Sequence, residues 1–438
     1  MHNNSVGKTK ARNSIQYFEF TQMKTLLIIY PHWPPSNLAG VHRPRLIANF
    51  LDDFGWKAVV LTVEQKYYEQ PPDFDLCKLV NQQIEVHYTK AYRITKPRII
   101  GDIGLRAFNY LKHQALKIIS QQKIDFIWIP IPSFYVALLG RILHNKTKIP
   151  YGIDYIDPWV RNISNRRNLR AILSNIVAQI LEPIAVKKAS LISGVSYEYF
   201  KPMLQRNFKN KKIETIAMPY GFDPKDHNVK IYNLQYPWNN YPNSIPIIYA
   251  GAVLPLSGYF IELLFKSIKN LLDKNQINKN TKLFFVGTGN YTHKSIEQYA
   301  SEAGITENVV ELRQRFPFLH ILNFLSAAKG VMVIGSTQKH YTASKIFQAL
   351  LSQQPVFAIM HHKSTIVEIL KQCNANNYLV EYFEHQNQDE LQNKIKQTFE
   401  NFVNNSALWQ PNLSALDKYS AKQSAKILVE AIEKNIAQ

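Results

Sequence analysis

Three short stretches of this 438-residue chain hold side chains whose types and spacing could do chemistry. In the segment from Tyr341 to Ile359, Ile346, Phe347, Leu350 and Leu351 mark one apolar helix side, leaving Lys345, Gln348 and Ser352 near one another on the other. Thr342 or Ser344 can cap that helix. Its free N–H groups, with Lys345 beside them, make a site for an anion such as a diphosphate, and Gln348 sits one turn further in, where it can bond a sugar hydroxyl. An ordinary capped surface helix would use the same residues. The second stretch, Ile149 to Arg161, ends a strand with Asp154 and Asp157 directed at whatever lies beyond it, although Asp157-Pro158 also suits a helix cap followed by proline in the first turn. The third is the loop Pro31 to Arg45. Gly40 there permits close backbone approach, and His42, Arg43 and Arg45 gather where an anion or sugar would meet the following helix, unless the loop is only a structural turn.

These stretches resemble the retaining GT-B glycosyltransferases of the large family four group. The strand, loop and helix from Gly330 to Ile359 are similar to the family's donor-binding unit, in which the helix N-terminus holds the diphosphate of a nucleotide sugar. A family glutamate stands where this chain has Gln348, and its usual partner seven residues earlier is here Tyr341. The segment Asp154 to Trp159 resembles the Asp-x-x-Asp-Pro-Trp segment of polysaccharide transferases. That resemblance implies that Asp157 orients or deprotonates an acceptor hydroxyl, that Asp154 supports it, and that Gly40, His42, Arg43 and Trp159 belong to the acceptor and sugar side.

Where the family places an Arg and a Lys on the donor phosphates, this chain has Ala252, Val253 and Ser257 after Gly251. Arg313 and Arg315 are the candidates to replace that charge together with Lys345, and Gly287, Thr288 and Gly289 are placed to lie against the donor base. The resemblance implies a nucleotide-sugar donor, a glycan or lipid-linked acceptor, no cofactor and no metal. Asp73 and Asp75 look like an Asp-x-Asp metal site of another fold but follow Pro71-Pro72 in a loop, so they are assigned none.

The elements that must position these residues follow from periodicity. From Lys24 onward, apolar strands alternate with amphipathic helices, the signature of parallel sheets covered on both faces. The expected architecture is α/β: two Rossmann-like doubly wound domains facing a cleft, with a last helix crossing back to the first domain. Residues 1–22 are read as a disordered extension, 23–225 as the acceptor domain, 226–244 as a linker, 245–414 as the nucleotide-sugar domain and 415–438 as the crossover helix. Seven strand-like runs between Leu26 and Met218 and six between Ile245 and Val380 are expected.

Composition narrows the classes of function. A hydrophobic content of 46% supports full cores, and no apolar run is long enough for a membrane span. Cys77 and Cys373 stand far apart and form no metal or redox pattern, which favours a cytoplasmic setting. The net charge of +20 is uneven: residues 1–225 hold 32 Lys and Arg against 16 Asp and Glu, leaving only +4 for the remainder. Such a field favours an anionic partner. Nucleic acid is disfavoured because no DNA- or RNA-binding module is recognisable, whereas an anionic surface at the inner face of the plasma membrane suits two basic amphipathic stretches, Tyr92–Ile119 and Arg161–Lys188. For the second stretch, burial of its apolar face in the core is expected. The competing functional reading is a non-catalytic scaffold of a polysaccharide-assembly complex.

Overall fold

The structure, a computed structural model, describes residues 23–95, 100–161, 169–209, 211–254, 256–289, 294–336, 345–405 and 409–437. The expected extension and the candidates Tyr341, Thr342 and Ser344 lie outside the described residues.

Among the described residues thirteen strands form, where the apolar runs predict them: β1 Lys24–Ile29, β2 Trp56–Val63, β3 Glu85–Thr89, β4 Phe126–Ile131, β5 Tyr151–Tyr155, β6 Leu191–Gly194, β7 Glu214–Ala217, β8 Ile245–Ala250, β9 Thr281–Val286, β10 Val309–Leu312, β11 Gly330–Ile334, β12 Val356–His361 and β13 Leu379–Tyr382. Between and after them run α1 His42–Ala48, α2 Ile103–Gln121, α3 Ala137–Thr147, α4 Leu169–Val186, α5 Tyr197–Asn207, α6 Gly258–Asp273, α7 Ile296–Ala303, α8 Phe318–Ala327, α9 Lys345–Leu351, α10 Thr365–Gln372, α11 Gln388–Asn404 and α12 Ala421–Ile436.

Every strand pairing is parallel, in a first sheet ordered β3-β2-β1-β4-β5-β6-β7 and a second ordered β10-β9-β8-β11-β12-β13. Strand order reverses between β1 and β4 in one sheet and between β8 and β11 in the other. Ligands of such sheets gather outside the carboxyl ends of the strands at those reversals.

Runs such as Leu26 to Ile29 are apolar on both faces because both faces are covered. Ala107 and Leu111 of α2, Leu139 and Leu143 of α3, and Ala178 and Ala185 of α4 pack on one face of the first sheet. On the other face lie Ile47 of α1 and Ala425, Leu428 and Ile432 of α12, so the last helix crosses back as expected. It begins later than residue 415. Residues Leu413–Tyr419 are a tighter 3-10 turn that stays with the second domain, Tyr419 lying 5.4 Å from Phe347, and Ser420 starts α12 by accepting from Gln423 N at 3.2 Å.

Two arginines of α1 tie the first domain to the hinge. Arg45 donates to both carboxylate oxygens of Asp226 at 3.1 and 2.7 Å, and Arg43 reaches the carbonyls of Met218 and Pro219 at 3.4 and 2.8 Å. Leu76 and Leu79 meet Leu319 and Leu322 of α8 in a small apolar cluster between the domains.

The expectation that α4 buries its apolar face is corrected. The side facing α3 uses Ala178, Ala185 and Val186, and a second apolar stripe, from Leu169 to Ile184, faces outward. The helix carries more apolar surface than the elements packed against its inner side cover.

Candidate functional site

The residues after β8, β9 and β11 converge in the second domain. Gly251, with φ of +110°, turns the chain sharply after β8, and the space a Cβ would occupy is filled by the Lys345 side chain, whose Nζ would be 2.9 Å away. Lys345 opens α9. Its Nζ donates to the Ala252 carbonyl at 2.9 Å and the Tyr249 hydroxyl at 3.3 Å, and lies 4.9 Å from the centre of the Tyr249 ring. These partners are neutral, and among the described residues no carboxylate pairs with this ammonium. Burial lowers its pKa to about 8.

Gly287, at φ of +72°, brings its backbone against Gly251 and is held by Leu312 O at 2.7 Å. Thr288 does not face a ligand space: its hydroxyl donates to buried Glu311 at 2.7 Å. Gly289 is held at 3.1 Å by the Arg313 carbonyl, while the Arg313 side chain, part exposed, lies 3.5 Å from Glu311. Lys345, Gly251, Gly287 and Arg313 therefore stand around one reversal of strand order. Arg315 does not join them. Its guanidinium crosses to the first domain and donates to Asn37 O.

Gln348 is directed at the hinge, its Oε1 lying 2.8 Å from His227 Nε2. The sequence pattern that places Gln348 one turn inside the helix carries no information about a hinge histidine far away in the chain.

In the first domain, a cavity of about 440 Å³ opens at the reversal between β1 and β4. Tyr30, His32, Gly40, Asp102, Ser133 and Asp157 are among the residues around it. Asp157 projects from the loop after β5, and its carboxylate accepts no hydrogen bond from a described residue. Asp102 caps α2 by accepting from Leu105 N at 2.7 Å and from the Ser133 hydroxyl at 3.2 Å, and burial holds its carboxyl above the ordinary range against those donors. His32 is kept neutral by burial and by Arg106, its pKa lowered to about 4. Neutral imidazole, hydroxyls and two carboxylates around one space suit a polyhydroxylated ligand, since each can accept from a sugar hydroxyl. The sequence does not single out Tyr30, His32, Asp102 or Ser133. Asp102 before an apolar helix is a readable cap, but a cap signal does not say which space the carboxylate borders.

Arg43, Asp154 and Trp159 are placed elsewhere than expected. Arg43 and Asp154 are fully buried against each other, with Nε–Oδ2 at 2.5 Å and Nη2–Oδ1 at 3.0 Å, and Ser193 Oγ donates to Asp154 at 2.7 Å. A guanidinium and a carboxylate withdrawn from water need each other, so neither is presented to a ligand. Trp159 stacks on Phe134 at 5.8 Å within the first core. His42 lies in the cleft with its ring 4.3 Å from Phe318, and burial, then Arg45 and Arg315, lower its pKa to about 3. Gly40 makes room for the Tyr30 hydroxyl, which a Cβ at that position would overlap.

His361, His362 and Glu384 are a trio whose ligand atoms lie within 4.8 Å of one another. Lys363 N donates to His361 Nδ1 at 3.2 Å, so the proton of the neutral ring sits on Nε2, which faces Glu384 at 3.3 Å. That ring has no remaining lone pair for a metal.

No family model and no curated protein matches the chain. Solved structures do. Sucrose-phosphate synthase from Thermosynechococcus elongatus superposes over 94% of this chain and 99% of its own, with a TM-score of 0.58 and 14% identity. Anabaena HepE, in complex with UDP and glucose, superposes over 94% and 100% with a TM-score of 0.55 and 15% identity. The fold is GT-B. A glycosyltransferase from Rickettsia africae gives the same result at 0.57 and 14% identity, covering 94% of this chain and 98% of its own. At these identities the likeness is one of architecture: two GT-B lobes, with the Lys345 cluster in the second and the Asp157 cavity in the first.

Proposed function

We propose that this chain is a glycosyltransferase of the retaining family four type that moves a sugar from a nucleotide-sugar donor to a cell-surface polysaccharide or lipid-linked acceptor. It works on the cytoplasmic side of an anionic membrane and needs no metal or other cofactor. Lys345 and Arg313 meet the donor diphosphate, Gly251 and Gly287 let it approach the backbone, and Gly289 borders the base. Asp157 orients the acceptor hydroxyl. That hydroxyl bonds to the sugar carbon as the bond from that carbon to the diphosphate breaks, and its proton passes to the departing phosphate.

The observation that carries this reading is the Lys345 ammonium. It is half-buried at the carboxyl ends of the strands, packed against a glycine, and bonded only to neutral groups among the described residues. A group so placed gains most from an anion. Calorimetric titration with UDP, GDP and their sugars is the test. Binding by at least one, weakened by Lys345→Ala, is expected, and no binding by any would overturn the reading.

One observation favours the scaffold instead: Gln348, at the place of the family's ribose-binding glutamate, is bonded to His227. Sugar transfer that Asp157→Asn abolishes eliminates the scaffold.

A further inference from the structure

The outward side of α4 is an apolar stripe on the surface of the first lobe. Leu169 is 73% exposed, Leu173 63%, Ile176 47%, Ile180 60% and Ile184 41%. At about 100° per residue these five positions fall within an arc of roughly 80°, opposite Ala178 and Ala185, which face the core. Both sides of the helix are thus apolar, and only one is covered.

The charges around the stripe select what covers it. The one acidic residue of α4, Glu182, turns inward and is bound by Arg206 at 2.6 Å, so no carboxylate borders the stripe from this helix. Exposed cations stand at its C-terminal end, where Lys187 and Lys188 follow the last turn. Lys146, at the end of the adjoining α3, is exposed beside Lys188, which bonds Asn145 at 3.0 Å. An anionic lipid surface supplies both an apolar layer for the stripe and negative head groups for its rim.

We propose that α4 is an interfacial helix that lies in the plane of an anionic bilayer, with Leu173, Ile176 and Ile180 inserted between acyl chains and Lys146, Lys187 and Lys188 on the head groups. It lies on the bilayer rather than crossing it, because no helix among the described residues is long and apolar enough to span one. The lobe that binds is also the one holding the Asp157 cavity. Tyr92, Ile94, Ile100 and Leu105 are exposed near the mouth of that cavity, where Gly101, Asp102 and Ile103 line it. Both α2 and α4 connect parallel strands of the first sheet, so their N-termini lie toward the carboxyl ends of its strands. The membrane partner of the proposed function rests on that reading, whereas the docking of α4 is measured without turnover.

The experiment is co-sedimentation of the full chain with vesicles of phosphatidylcholine alone and with phosphatidylglycerol added. Binding to the anionic vesicles is expected, weakened by salt and reduced about tenfold or more in Leu173→Glu/Ile180→Glu, with a blue-shifted emission on binding for Ile180→Trp. Both glutamate positions are exposed, so the variant should keep its melting temperature and its nucleotide titration. Equal binding by the wild type and the glutamate variant, or none by either, overturns the proposal. So does a concentration-dependent dimer in sedimentation velocity that the same substitutions abolish, which would make the stripe a protein interface. Lost vesicle binding with nucleotide binding intact separates this surface from the donor site.

Discussion

His227 Nε2 and Gln348 Oε1 lie 2.8 Å apart and join the hinge between the lobes to the helix that carries Lys345. An amide oxygen only accepts, so the imidazole donates from Nε2 and is neutral, with burial as the first cause of a pKa below the ordinary value. A buried neutral histidine contributes stability above its unfolded pKa, near 6.5, and withdraws it as pH falls below that value. Gln348→Glu sets a carboxylate against the ring and raises its pKa. The contribution then changes sign: present at low pH and lost as pH rises through the new, higher value. Melting temperatures of both proteins across roughly pH 5 to 8 should therefore diverge, the variant gaining on the wild type toward the acid end. Parallel profiles would show that these two side chains do not couple.

Lys345 gives the donor site its own pH dependence. With a free pKa near 8, the amine is already losing its proton in mildly alkaline solution, and a bound diphosphate raises that pKa again. Nucleotide binding then takes up a proton above about pH 8, and affinity falls by up to tenfold per pH unit there. Titrations in buffers of different ionisation enthalpy read the uptake directly. Lys345→Ala should weaken UDP by roughly 2 kcal/mol, about thirtyfold, and abolish the proton uptake. Unchanged uptake in the variant would assign the proton to another group.

What the sequence allowed to be read, and what it did not, divides along one physical line. Apolar runs such as Leu26 to Ile29 and Val356 to Ile359 record burial on both faces, and burial is local enough to be written in a few consecutive residues. The thirteen strands and the crossing α12 were legible for that reason. Partners of polar side chains are set by elements far away in the chain. Nothing near Arg43 announces Asp154, and nothing near Gln348 announces His227. The apolar residues of α4 show the converse limit: periodicity says that a face is apolar and not whether anything covers it.

The two aspartates at the end of β5 should separate by assay. Asp154 is committed to Arg43 with no exposure for either side chain, and removing one partner leaves the other buried and unpaired, at a cost of about 3–5 kcal/mol. Asp154→Leu or Arg43→Met should lower the urea midpoint steeply. The double variant should recover much of that loss, because two apolar side chains leave no stranded charge. Asp157→Asn, at the edge of the cavity, should leave the unfolding free energy within about 0.5 kcal/mol of the wild type and act on turnover alone. Equal destabilisation by Asp157→Asn and Asp154→Leu would place both carboxylates in the frame.

Gly40 and Tyr30 make the last test, because the loop between them carries Asn37, whose carbonyl accepts from Arg315 of the other lobe. A methyl group at position 40 overlaps the Tyr30 hydroxyl, which is buried against the cavity wall and cannot swing into solvent without moving the loop. Gly40→Ala should therefore cost about 1–3 kcal/mol in unfolding free energy. Tyr30→Phe deletes only the atom in conflict. In the Gly40→Ala background it should restore a large part of the loss, whereas in the wild type it removes a hydroxyl from the cavity at small cost. A double-mutant cycle by urea unfolding measures the difference, and strictly additive effects would mean that the loop relaxes away from Tyr30 and that the close approach does not hold Asn37 in place for Arg315.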